Sequence, residues 1–249
     1  TNLFNVVKLD GAITRSVRDA VLLHEILAER IVRLDAVPLA ERRFAVVRTL
    51  MLDALETTVA AAFERALQTI AQAGAQIEFI DLPLLDELPR LTQDGGLPAA
   101  ESWAWHRELL ARDGARYDPR VAARIRRGAA ITPAALAALH AARADWIGRM
   151  SAALAGFDAV LSPTVPMTPP PLAPLLVDDA AFFEVNARLL RNPSVVNLLD
   201  GCAISLPCHA PGTAPVGLMA WSLGGRDDRL LSLALQLEAA LKPARESAR

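Results

Sequence analysis

The chain has 249 residues, 53% of them hydrophobic, and a formal net charge of −2. That is apolar material for a substantial core, as one large domain or two small ones. The charge argues against a nucleic-acid binder, which needs a basic excess on one face, and no apolar run approaches the ~20 residues of a membrane-spanning helix. Cys202 and Cys208 are the only cysteines, too few for a disulfide framework, so a reducing, cytoplasmic setting is the default expectation. The first seven residues carry no basic segment ahead of an apolar stretch and do not read as a signal peptide.

In chain order, Ser16-Val-Arg-Asp19 has capping-box spacing ahead of Val17, Val21, Leu22, Ile26 and Leu27, which predicts a helix near 15–29. Phe44-Ala-Val-Val47 predicts a short strand. Val59, Ala62, Phe63, Ala66, Leu67 and Ile70 then mark one face of a helix that stops at Gly74, and Ile77-Glu-Phe-Ile80 predicts the next strand. Strand, helix and strand with short joints imply a parallel pair with a right-handed crossover. Helices are expected at 98–112, 118–128 and 133–154, the last with Thr132 as N-cap and Pro133 at its first position. Strands are expected at 157–161, 203–207 and 215–221, and helices at 180–190, capped by Asp178-Asp179, and at 227–241. The order of elements reads as an α/β layered fold with a mixed sheet.

Two segments carry the most information. Asp158-Ala-Val-Leu-Ser-Pro-Thr-Val-Pro-Met-Thr-Pro-Pro-Pro171 and Asn197-Leu-Leu-Asp-Gly-Cys-Ala-Ile-Ser-Leu-Pro-Cys208 each run an apolar strand into prolines that cannot extend a ladder. Together with Gly11-Ala-Ile-Thr-Arg-Ser-Val-Arg-Asp-Ala20, Tyr117-Asp-Pro-Arg-Val-Ala-Ala-Arg-Ile-Arg-Arg-Gly128 and Ala214-Pro-Val-Gly-Leu218, in this order and spacing, they resemble the C-terminal portion of the amidase signature family. The resemblance implies an α/β/α layered fold with a mixed central sheet. It implies one amidase-like domain, partial, over 1–249, with a helical insert at 98–154 overhanging the substrate pocket. The implied activity is hydrolysis of a carboxamide C–N bond, with no metal or organic cofactor.

Catalysis in that family uses a lysine, a serine in a cis peptide and a nucleophilic serine in a Gly/Ser-rich loop. No Gly-Gly-Ser-Ser-Gly-like string occurs here, and the only lysines, Lys8 and Lys242, do not match the family's position. The expectation is a C-terminal half without its catalytic segment, inactive alone and poorly able to fold alone. Ser162, Ser194 and Ser205 lie in strand ends with no lysine or histidine at motif spacing, and no catalytic residue is assigned. His24, His106, His140 and His209 show no metal-ligand spacing, and Cys202 and Cys208 lie too far apart for a Cys-x-x-Cys site.

What the chain is expected to supply is substrate recognition. Arg124 and Arg191 fall where the family places side chains that hold the remote end of the substrate, and an arginine fork suits a carboxylate. The alternatives are a solvated cluster with Arg126 and Arg127 for Arg124, and a structural role for Arg191. Asn192, beside Arg191, and Asp200, at a turn, are further candidates, as is His106 beside Trp103 and Trp105 at a pocket edge. The expected partner is a small-molecule amide, with no nucleic acid or membrane, and a homodimer is allowed. Rival readings are one component of a glutamine-dependent amidotransferase and a non-catalytic protein on the same scaffold.

Overall fold

The computed structural model of the protein describes residues 11–242, so Lys8 lies outside the described residues. Ser16 caps the first helix, α1 (Val17–Ala28), as its spacing implies: its Oγ accepts from the Asp19 N–H at 3.2 Å and donates to the Asp19 carboxylate at 2.8 Å. Of that helix only Val17 is buried. β1 (Arg43–Val47) follows, then α2 (Thr57–Gln72) and β2 (Gln76–Ile80), which pairs with β1 in parallel. Gly74 ends the crossover helix at φ +98°, and a Cβ there would meet the Ala40 Cβ at 2.8 Å, so the position requires glycine twice over.

A short helix α3 (Leu88–Leu91) leads into three longer ones, α4 (Gly96–Asp113), α5 (Pro119–Arg127) and α6 (Pro133–Ala153). Thr132 caps α6 by accepting from the Ala135 N–H at 3.2 Å. After β3 (Ala159–Pro163) come α7 (Leu172–Val177), α8 (Asp179–Leu198), β4 (Cys202–Pro207), β5 (Gly217–Ser222) and α9 (Asp227–Leu241).

The sheet runs β2-β1-β3-β5-β4, with β3 parallel to β1 and β5 antiparallel to both β3 and β4. It is mixed, and helices cover both faces. Phe44, Val46 and Leu161 pack with α2 and α9, through Phe63, Ile70, Leu233 and Leu237. Ala45, Val47, Val160, Met219 and Trp221 pack with α6 and α8, through Trp146, Met150, Val195 and Val196. Covering on both sides explains why β1 is continuously apolar instead of alternating.

Most boundaries fall within two residues of the sequence reading, and two differences have a physical cause. β3 runs through Pro163 instead of stopping at 161, because β5 pairs with it as far as Pro163 while β1 stops at Leu161. On its other side Pro163 faces Leu218 of β5, so the missing N–H lies where no ladder partner waits. The helix expected at 180–190 continues to Leu198 through Pro193. Proline removes the hydrogen bond to the Leu189 carbonyl, but burial of Asn192, Val195, Val196 and Leu198 holds the backbone helical beyond it. α7 forms in a segment dense with prolines, where the sequence reading predicts no helix.

Candidate active site

Because β1, β3 and β4 point the same way and β5 opposes them, the ends of three strands and the start of the fourth meet at one edge of the sheet. From β1 issues a loop, residues 48–56, with Leu50 at φ +63° and Ala54 at φ +45°. Neither is glycine, so the loop is strained in the left-handed region. From β3 issues the proline segment. The two are tied at Glu56, whose carboxylate accepts from the Thr168 N–H and Oγ–H at 2.8 Å each while its own N–H donates to the Pro166 carbonyl at 2.9 Å. Thr168 holds the Glu56 carboxyl below its usual pKa.

At the β3–β5–β4 corner the Thr164 and Ser205 hydroxyls lie 2.6 Å apart. Gly217 permits this, since a Cβ there would come within 2.5 Å of the Ser205 oxygen.

A second tie comes from α8. Asn192 is fully enclosed. Its Nδ2 donates to the Met51 carbonyl at 3.1 Å and the Pro163 carbonyl at 2.8 Å, and its Oδ1 accepts from Arg191 Nε at 3.0 Å. Arg191 also donates to the Asp53 carbonyl at 2.6 Å and the Met51 carbonyl at 3.4 Å. These contacts use three of the five N–H groups of a guanidinium. Burial pulls the Arg191 pKa below its ordinary value. Among the described residues no carboxylate lies within ion-pair distance of it, though the Asp53 carboxylate acts on it from farther off; its hydrogen-bond partners are neutral oxygens.

The other candidates lie elsewhere. The Arg124 guanidinium stacks 5.7 Å from the ring centre of Phe183. Phe183 precedes Arg191 by eight residues, about 12 Å along the helix. His106 Nδ1 lies 2.8 Å from the Tyr117 hydroxyl within the helical segment. Asp200, at φ +58°, precedes β4 and so stands at the opposite edge of the sheet, 3.5 Å from Arg143. Of these candidates Asn192 is bonded both to the loop after β1 and to the end of β3, and Arg191 to that loop and to Asn192. The sequence reading does not single out Glu56, Thr164 or Thr168: their partners are 41 or 112 residues distant, and no local pattern marks them.

Ser162 is fully buried in β3 and Ser205 is bonded to Thr164. Lys242, at the end of α9, pairs with Glu238 at 3.1 Å. Among the described residues no serine hydroxyl lies in a hydrogen bond with a lysine or histidine. Burial pushes the Cys202 thiol up to about 12 and Cys208 to about 11, so neither is a nucleophile at neutral pH. Among the described residues no group of three or more His, Cys, Asp or Glu could hold a metal.

The family model for amidases matches residues 2–231. The chain is 31% identical over 192 residues to the 2-amino-5-chloromuconic acid deaminase of Comamonas testosteroni, covering 75% of this chain and 40% of that protein. It is 26% identical to a component of the glutamyl-tRNA(Gln) amidotransferase of Salinispora arenicola, covering 94% of this chain and 55% of the relative. Among solved structures, the crystal structure of an amidase superposes with a TM-score of 0.79 at 29% identity, over 93% of this chain and 52% of that one. The chain therefore spans about half the length of the proteins it matches.

Proposed function

The chain belongs to the amidase signature family, and from that premise we propose that the complete protein hydrolyses the C–N bond of a small linear amide bearing a carboxylate. Water and the amide give a carboxylic acid and ammonia or an amine. The nucleophile is a serine activated through a cis serine by a neutral lysine, all from polypeptide other than residues 11–242. Its oxygen bonds to the carbonyl carbon, the C–N bond breaks, and the nitrogen leaves with a proton returned through the relay. Water then cleaves the acyl-enzyme. The helical segment 98–154 overhangs the pocket, and the site works in a reducing, cytoplasmic setting.

One observation carries the preference for a carboxylate: a partly buried arginine at the strand ends, held by neutral oxygens with two N–H groups to spare. A partly desolvated cation whose hydrogen bonds go to neutral oxygens favours an anion, with the Asp53 carboxylate acting on it only from beyond ion-pair distance, and the deaminase relative is named for a substrate that is itself an acid. The test compares adipamic acid with hexanamide, amides of equal chain length that differ in a terminal carboxylate. In the complete protein Arg191→Ala should lower kcat/KM for adipamic acid by about 10- to 100-fold, roughly 1.4–2.7 kcal/mol, and leave hexanamide within about threefold. An unchanged ratio between the two amides refutes the role of Arg191.

Similarity to an amidotransferase component favours a second reading, in which the same hydrolysis releases ammonia for a partner. Co-purification of a second polypeptide, with glutamine as the preferred amide, would select it.

A further inference from the structure

We infer that Asn192 is a positioning residue: it locks the strained loop after β1 to the end of β3 and sets the angle at which Arg191 enters the site. The inference deepens the reading of this site as an amide hydrolase pocket and rests on it. Asn192 offers two donors and one carbonyl acceptor. Both donors meet backbone carbonyls, Met51 at 3.1 Å and Pro163 at 2.8 Å, and the acceptor meets an arginine N–H at 3.0 Å. Because the carbonyls can only accept and the guanidinium can only donate, the amide has one permitted orientation. No donor remains for a substrate, and the side chain is enclosed.

The two carbonyls belong to segments 112 residues apart, each leaving the sheet at the same edge. On either side of Met51 the loop carries Leu50 and Ala54 in a conformation that surrounding contacts must impose. Asn192 and Arg191 impose it together, since both reach the Met51 carbonyl and Arg191 adds Asp53. Aspartate there would set a carboxylate against two carbonyls, and leucine would take the Asn192 donor from the Pro163 carbonyl and leave the Met51 carbonyl only its longer contact with Arg191. Serine would keep a single donor.

The experiment uses the complete protein with Asn192→Asp, Asn192→Leu and Asn192→Ser, hexanamide and adipamic acid as probes, and amide hydrogen exchange in the parent and each variant. The expected result is a KM at least fivefold higher for both amides in N192D and N192L, an intermediate rise in N192S, and faster exchange across 48–56 and 164–171. A general folding defect instead lowers the active fraction, so kcat drops with KM unchanged. KM values within twofold of the parent in an active variant overturn the inference, as does unaltered exchange across 48–56. Should the larger substitutions prevent accumulation of folded protein, N192S decides by the same two criteria. Arg191→Ala in parallel keeps the readings separable: an unchanged acid-to-neutral ratio removes the carboxylate preference while KM for hexanamide still judges Asn192. If the parent cleaves neither amide, exchange across the two loops alone decides.

Discussion

Asp158 stands at the start of β3 with its carboxylate nearly enclosed, accepting from the Arg43 N–H at 2.8 Å and from Arg42 Nη1 at 3.2 Å, and paired with Arg229. Arg42 is itself 3% exposed and turns its other nitrogen to Asp35. Burial alone pushes the Asp158 carboxyl up, but the Arg43 N–H and the two guanidinium groups outweigh it and hold the pKa below the usual 3.8. A lowered folded-state pKa contributes stability that is complete above the unfolded value and lost as pH falls through the folded one. The cluster is therefore intact above about pH 4 and dissolves below it. Asp158→Asn removes one of the two carboxylates on buried Arg42 and leaves Asp35 paired with it, so the loss is about 1–3 kcal/mol, below the cost of stranding a buried charge. Urea unfolding of the complete protein at pH 7 should show that loss, and the gap between parent and variant should narrow toward pH 3. A gap of equal size at both pH values contradicts the linkage.

Elements, not single residues, determine how the helical segment meets α7 and α8. α8 runs antiparallel to β3 and β4, so its first half projects beyond the strand ends, where α5 and α7 meet it. Arg120 of α5 makes the joint: Nε lies 2.6 Å from Asp179, Nη1 donates to the Leu175 carbonyl at 2.9 Å, and the guanidinium sits 4.4 Å from the Phe182 ring centre. Arg120→Ala should release α5 locally, worth about 1–2 kcal/mol for a half-buried cation over an aromatic ring with one charged acceptor. Faster hydrogen exchange in 119–127 and 172–180, with the thermal midpoint nearly unchanged, would mark a hinge between otherwise stable bodies. Equal slowing or speeding throughout the chain would deny it.

At this scale the sequence is informative wherever periodicity and capping agree. α2 with Gly74, α6 with Thr132 and α8 with Asp178 all begin or end as their residues imply. It misleads at Pro193, where a local rule ends the helix but an asparagine bonded to carbonyls 29 and 141 residues away keeps it going. The strand-to-proline motifs locate the edge where the loops after β1 and β3 are tied together. They could not indicate that Arg191 rests on the loop after β1, since Leu50 and Ala54 carry no side-chain signature of a left-handed turn. Asp200 follows Asn192 by only eight residues yet lies at the other end of the strands, because the turn that contains it precedes β4 and does not follow it.

For the whole molecule, the question is what the uncovered surfaces imply. β4 is an edge strand, and Ala203, Ser205 and Pro207 are exposed on the face that α6 and α8 cover elsewhere. Leu22, Ile26 and Leu27 of α1 form a stripe at helical spacing, with Leu27 69% exposed. A strand edge invites pairing, and contiguous apolar patches on a folded protein mark contacts with other polypeptide. The relatives are roughly twice as long, so the expected cover is the remainder of an amidase-sized protein. Residues 11–242 produced alone should bind an apolar dye such as ANS, sediment as concentration-dependent aggregates and unfold over a broad urea range, whereas the complete protein should do none of these. The dye response separates exposed packing surface from simple disorder, because an unfolded chain binds little of it while a compact one with an uncovered sheet edge binds much. A sharp urea transition without dye binding would mean that the layers on the two sheet faces suffice, and that the edge at β4 is closed by its own side chains.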